Sequence, residues 1–141
     1  MRKVIPWIAV GVIAGYLVFW AVPEFFYQKE DPRSLQRLSR IAAEINRSVP
    51  VMIDRETELM VVEAYEGMLI YKYRLAPYSV SQLDHEKFAA DAKKRVVQLA
   101  CNQAETRDEY LKKGVTLRYS YFDKNKQHIA TVDVTPADCG F

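Results

Sequence analysis

From Val4 to Val22 the chain runs for 19 residues without a charged side chain. No other feature limits what it can become so strongly. Built as a helix at 1.5 Å per residue, the run reaches about 28 Å, close to the hydrocarbon thickness of a bilayer. It has no polar stripe, so it lacks the wet face that a soluble surface helix needs. Pro6 falls in the first turn, where its missing N–H costs little. Trp7 stands near one end, with Trp20, Phe25, Phe26 and Tyr27 near the other, as amphipathic aromatics do at membrane interfaces. The run predicts a single transmembrane helix over 4–22.

The flanks predict its direction. Arg2 and Lys3 precede the run, while Glu24, Lys29, Glu30, Asp31 and Arg33 follow it. The excess of cations before the span places residues 1–3 in the cytoplasm and everything from residue 23 onward across the membrane. In a bacterium this means the inner membrane, with a periplasmic C-terminal domain. A cleaved secretory signal would have a shorter apolar core and small residues at its cleavage site. Here the run ends in bulky Phe19, Trp20 and Val22 and then Pro23, so it reads as an uncleaved signal-anchor, single-pass and held by membrane lipid. Gly11 and Gly15 lie four apart and face one side of the helix. Such a pair lets a second helix pack closely, from another subunit or another copy.

Charge then excludes one class of partner. The net charge is +2, and Arg2 and Lys3 account for it, leaving 18 cations against 18 acids in residues 23–141. A neutral domain lacks the clustered cations that nucleic-acid binding rests on.

Residues 23–32 read as a juxtamembrane linker and 33–141 as an exported domain. Asp31 and Pro32 form a helix-start signal. Leu35, Leu38, Ile41, Ala42, Ile45 and Val49 then recur at helical spacing, predicting a helix over 33–47. Its outer face carries Arg33, Arg37, Arg40 and Arg47. Pro50 ends it. Residues 59–65 and 68–75 are rich in β-branched and aromatic side chains and are joined by Glu66-Gly67, a hairpin turn. A helix over 82–102, with Ser81 as its cap and Phe88, Ala92, Val96 and Leu99 as its core stripe, comes next. A shorter one over 104–113 stops at Gly114. Residues 115–122 and 128–135 form a second pair of alternating strands around the turn Asp123–Lys126. The expected fold class is α+β: one antiparallel sheet of about four strands, with two to three helices on one face.

Cys101 and Cys139 are the two cysteines. An oxidising compartment favours a bridge between them, and neither belongs to a Cys-x-x-Cys redox motif.

The chemistry the sequence lacks is equally specific. His85 and His128 are the two histidines, and no metal-ligand spacing is present. Five glycines form no phosphate-cradling loop, and no Gly-x-Ser-x-Gly occurs. No cofactor, metal or catalytic residue is therefore expected, and the chain reads as a binding protein rather than an enzyme. Its least ordinary feature is tyrosine. Tyr71, Tyr73, Tyr119 and Tyr121 fall on predicted strands, and such side chains suit both a half-buried sheet and a recognition surface. The expectation is an accessory or assembly subunit of a membrane complex with a protein partner. The alternative is a tethered periplasmic sensor or inhibitor that captures a ligand or an incoming enzyme.

Overall fold

Alternation of apolar and polar residues builds the strands, as the sequence predicts, but their arrangement differs. A computed structural model describes residues 30–141. The predicted span, with Gly11 and Gly15, lies outside the described residues. Among the described residues no helix is long and apolar enough to cross a membrane. Residues 31–141 form one unit.

The unit begins with α1 (Leu35–Asn46), followed by β1 (Val51–Met52), β2 (Thr57–Tyr65) and β3 (Met68–Leu75). Next come α2 (His85–Asn102), β4 (Thr116–Phe122) and β5 (His128–Val134). Between α2 and β4 a π-helical turn, Thr106–Tyr110, runs into a 3₁₀ turn, Leu111–Lys113. The sheet has five strands in chain order, β1-β2-β3-β4-β5. It is mixed, not antiparallel: β3 and β4 pair in parallel, with Tyr71 opposite Tyr119 and Tyr73 opposite Tyr121. The reason is the connection. A long crossover through α2 brings the chain back to the end of the sheet where β3 began, so β4 runs the same way. The two hairpins around it are antiparallel, as expected.

Helix ends also shift from their expected places. Ser34, not Asp31, caps α1 by accepting the Arg37 N–H at 3.2 Å, and Asp31 instead accepts the Arg33 N–H at 2.9 Å. Asp84, not Ser81, caps α2 through the Lys87 N–H at 3.2 Å. In both cases the carboxylate or hydroxyl next to the first full turn satisfies an orphan donor. Gly114 does stop the last helical turn, at φ +86°.

Both helices cover one face of the sheet. α1 lies over β2 and α2 over β5. Leu38 and Ala42 of α1 and Ala92, Val96 and Ala100 of α2 share one core with Leu59, Val62, Leu69, Leu117, Val132 and Val134. Two expected core residues are excluded from it. Leu35 (51% exposed) overhangs in the first turn of α1, and Leu99 (52% exposed) is turned out of α2 while Ala100 takes the buried place beside Val96. The opposite face of the sheet carries cross-strand ion pairs: Glu63–Lys72 at 2.8 Å, Glu58–Arg74 at 3.2 Å and Arg118–Asp133 at 2.8 Å.

Three arginines in and beside α1, Arg33, Arg37 and Arg47, are engaged within the domain. Arg37 donates to the Pro32 and Glu109 carbonyls at 2.8 and 3.1 Å, and Arg47 pairs with Glu44 at 3.2 Å. Arg33 lies across two glycine turns. Its carbonyl accepts the Gly67 N–H at 2.8 Å, and a Cβ on Gly67 would come within 2.7 Å of its Nη2. Gly67 at φ +72° thus serves both the β2–β3 turn and this close approach.

Cys101, at the end of α2, is bonded to Cys139, just past β5, with Cα atoms 5.5 Å apart. The sequence separation of 38 residues gives, on the chain-entropy account, about 4 kcal/mol of stabilisation.

Candidate functional site

α2 lies over β5, and a strip of the sheet between α2 and the loop from β1 to β2 is left partly open. Two cavities of about 250 and 330 Å³ occupy this gap. Asp54, Thr57, Arg95 and Tyr121 line both, so the two are parts of one groove. One wall is a stripe of α2 that steps by three and four residues from Phe88 to Gln103. At 1.5 Å per residue this wall is about 22 Å long. The other wall is the loop from β1 to β2, contributing Ile53 and Asp54, with Thr57 at the start of β2.

Tyrosines make the floor. Tyr71, Tyr73, Tyr119 and Tyr121 lie side by side on the helix-covered face, and all four rings stack. Tyr71 and Tyr119 have centroids 5.4 Å apart, and Tyr73 and Tyr121 are at 5.6 Å. Tyr73 and Tyr119 stack at 6.1 Å. Phe88 of α2 meets Tyr121 edge-on at 5.2 Å. Parallel register between β3 and β4 brings these rings together, since it sets the two Tyr-x-Tyr pairs opposite each other. Tyr119 is 9% exposed and belongs to the core, while Tyr73 and Tyr121 are half-buried and join it in the groove lining. Tyr71, also half-buried, does not line the groove. Burial pushes the Tyr121 phenol up to about 12 and raises Tyr71, Tyr73 and Tyr119 well above the ordinary phenol range. The floor is therefore neutral: aromatic faces with a few polar tips.

The rim is split in character. Toward Gln103 it is apolar, with Ile53 (53% exposed) and Leu99 facing solvent across the groove. Toward Phe88 it is charged, with Asp54, Glu56, Asp91 and Arg95. Asp54 accepts the N–H groups of Glu56 and Thr57, both at 2.8 Å. Those bonds, first that from Glu56, outweigh desolvation and hold its carboxyl below the usual range, with Arg95 adding to the effect. The Tyr78 hydroxyl donates to Glu56 at 3.3 Å, and that carboxylate raises the Tyr78 phenol.

The histidines are not part of the groove. His85 Nδ1 bonds the Ile129 carbonyl at 3.1 Å, and His128 Nε2 bonds Thr131 Oγ1 at 2.8 Å. Among the described residues no group of three His, Cys, Asp or Glu side chains is placed to hold a metal ion.

Sequence reasoning singles out four tyrosines, of which Tyr73, Tyr119 and Tyr121 line the groove, but misses the walls. Arg95 and Leu99 fall on the helical stripe through Phe88, Ala92 and Val96, so their place was open to reading. Ile53 and Asp54 follow a two-residue strand that leaves no periodic signal.

No protein-family model matches the sequence, and no curated protein sequence matches it. Its fold is nevertheless shared with solved structures. A Pseudomonas aeruginosa protein described as secreted matches with a TM-score of 0.63 at 19% identity, covering 79% of this chain and 97% of that one. EpsS, the pilotin of the Vibrio vulnificus type 2 secretion system, gives 0.61 at 16%, covering 76% and 92%. AspS, a type II secretion system pilotin of Vibrio cholerae, gives 0.57 at 15%, covering 74% and 91%. At these identities the likeness is one of fold.

Proposed function

We propose that this chain is a membrane-anchored envelope protein that works by binding, as an accessory or assembly subunit that holds a segment of a partner protein in the groove along α2. The groove carries the reading: it is about 22 Å long, floored by Tyr73, Tyr119 and Tyr121, and rimmed by Ile53 and Leu99. Exposed aliphatic side chains facing each other across an aromatic floor are a surface that gains by excluding water. The cavities, about 250 and 330 Å³, lie at the small end of small-molecule sites, which are also more enclosed. They suit successive side chains of a protein segment better than one ligand. An assembly role is supported by the shared fold with two secretion-system pilotins. Residues 4–22 tether the domain to the inner membrane with the domain in the periplasm, and Gly11 and Gly15 give the span a face for a neighbouring helix.

A photo-crosslinking residue at Leu99 tests the groove, with the same residue at exposed Thr131 on the far face as control. The Leu99 probe should give a discrete protein adduct in native membranes, the Thr131 probe none. Ile53→Asp, which sets an unpaired charge on the opposite rim, should reduce the Leu99 adduct at least tenfold. Equal adducts from both positions, or an adduct indifferent to Ile53→Asp, would reject the groove as the binding site.

A further inference from the structure

The groove changes chemistry along its length, and α2 carries the change. Leu99 stands toward one end, across from Ile53, and Asp91 toward the other, about 12 Å away along the helix. At the Leu99 end the lining is aliphatic and aromatic, and its two charges, Asp54 and Arg95, are of opposite sign. The larger cavity, of about 330 Å³, adds Glu56 and Asp91. Among the described residues its lining therefore sets the carboxylates of Asp54, Glu56 and Asp91 against the single guanidinium of Arg95. Negative charge is in excess there.

The rest of that cavity is largely apolar and aromatic. Phe88 meets Tyr121 edge-on at 5.2 Å, and the Tyr78 hydroxyl donates to Glu56 at 3.3 Å. The Asp91 side chain makes no hydrogen bond or ion pair with any described residue, although Arg95 is one turn further along α2. An apolar or acidic side chain entering here would take water from these carboxylates and return nothing. A lysine or arginine matches both parts of the cavity. Its methylene stem can lie on the rings while its cationic head reaches the acids.

We infer that the partner segment places a lysine or arginine side chain in this cavity and an apolar side chain between Ile53 and Leu99. The inference rests on the groove being the binding site. Charge complementarity selects the occupant, and the order of the two cavities gives the segment one direction along α2. A separation of 12 Å is spanned by about four residues of extended chain or about eight of helix. The cation therefore stands within about eight residues of the apolar anchor.

The test uses the full chain in native membranes with the photo-crosslinking residue at Leu99. Glu56→Lys with Asp91→Lys should lower the Leu99 adduct about tenfold, because like charges then meet. The neutral pair Glu56→Gln with Asp91→Asn should lower it about threefold, as expected for exposed charge pairs. Glu66→Lys with Glu86→Lys makes the same change of net charge outside the groove and should leave the adduct unchanged. Circular dichroism of the purified chain in detergent micelles checks that each variant is folded. Mass spectrometry of the wild-type adduct should find a lysine or arginine within about eight residues of the crosslinked position. Changing that residue to glutamate should weaken the adduct with the wild-type chain and restore it with the Glu56→Lys, Asp91→Lys chain. A wild-type adduct indifferent to that double reversal would overturn the inference and leave the groove standing. So would an adducted segment with no cation in that reach. Absence of any Leu99 adduct from the wild-type chain would instead reject the groove itself, and the inference with it.

Discussion

Asp123 shows how much one carboxylate can organise. It is fully buried and makes no ion pair among the described residues. Its Oδ1 accepts the N–H groups of Asn125 and Gln127, both at 2.8 Å, and Oδ2 accepts that of Val80 at 2.9 Å. It therefore holds the β4–β5 turn and pins the loop before α2 to it, closing one end of the sheet. Burial by itself raises its pKa, but three backbone donors outweigh burial and leave the carboxyl below the ordinary value. A carboxyl depressed in the folded state contributes stability above its unfolded pKa, about 3.9. That contribution is lost as pH falls through the folded value. Asp123→Asn should lower the melting temperature by several degrees at pH 7, because one amide NH₂ must then face a backbone donor. The difference from wild type should shrink steadily below about pH 4. A constant difference from pH 7 to pH 2 would mean that the carboxylate charge plays no part.

Among the elements, those that announce themselves in the sequence are the ones made by local rules. Strands β2 to β5 show in alternating residues, α1 and α2 in the three–four spacing, and the two hairpin turns in Glu66-Gly67 and Asp123–Lys126. The parallel pairing of β3 and β4 is not local. Nothing within either strand says which edge the chain will meet after a crossover of forty residues. The same limit hides the groove, which is a gap between α2 and the β1–β2 loop set by where each lands on the sheet. Leu99 illustrates the finer ambiguity. The spacing places it on the core stripe, but Ala100 fills the buried position, and one step around the helix turns Leu99 to the rim. The tyrosine floor follows from the parallel register and has a spectroscopic signature. Burial raises all four phenols, so stability from keeping them neutral is complete below the unfolded tyrosine pKa, about 10. It is lost as pH rises through the folded values. In an absorbance titration these four should ionise only with unfolding, in one cooperative step above pH 10. Gradual, reversible ionisation of all nine tyrosines near pH 10 would show the floor open to water.

For the whole molecule, the disulfide and the apolar run make one joint statement. The Cys101–Cys139 bond ties α2 to the chain after β5, and such a bond persists where the compartment is oxidising. The flanking charges send residues 23–141 to that side of the membrane if residues 4–22 remain as an anchor. A reporter active only outside the cytoplasm, fused after Phe141, should therefore be active. The chain should fractionate with membranes at full length. In intact cells treated with a thiol reagent, Cys101 and Cys139 should stay unlabelled until a reductant is added. Arg2→Glu with Lys3→Glu should weaken the orientation and return a fraction of molecules to the cytoplasmic side, and the cysteines of that fraction should label without reductant. The two readouts must move together, since one charge bias governs both. A soluble product shortened by about 21–24 residues would mark the run as a cleaved signal. Labelled cysteines in the wild-type chain would place the domain on the reducing side and remove the periplasmic tether on which the binding role is built.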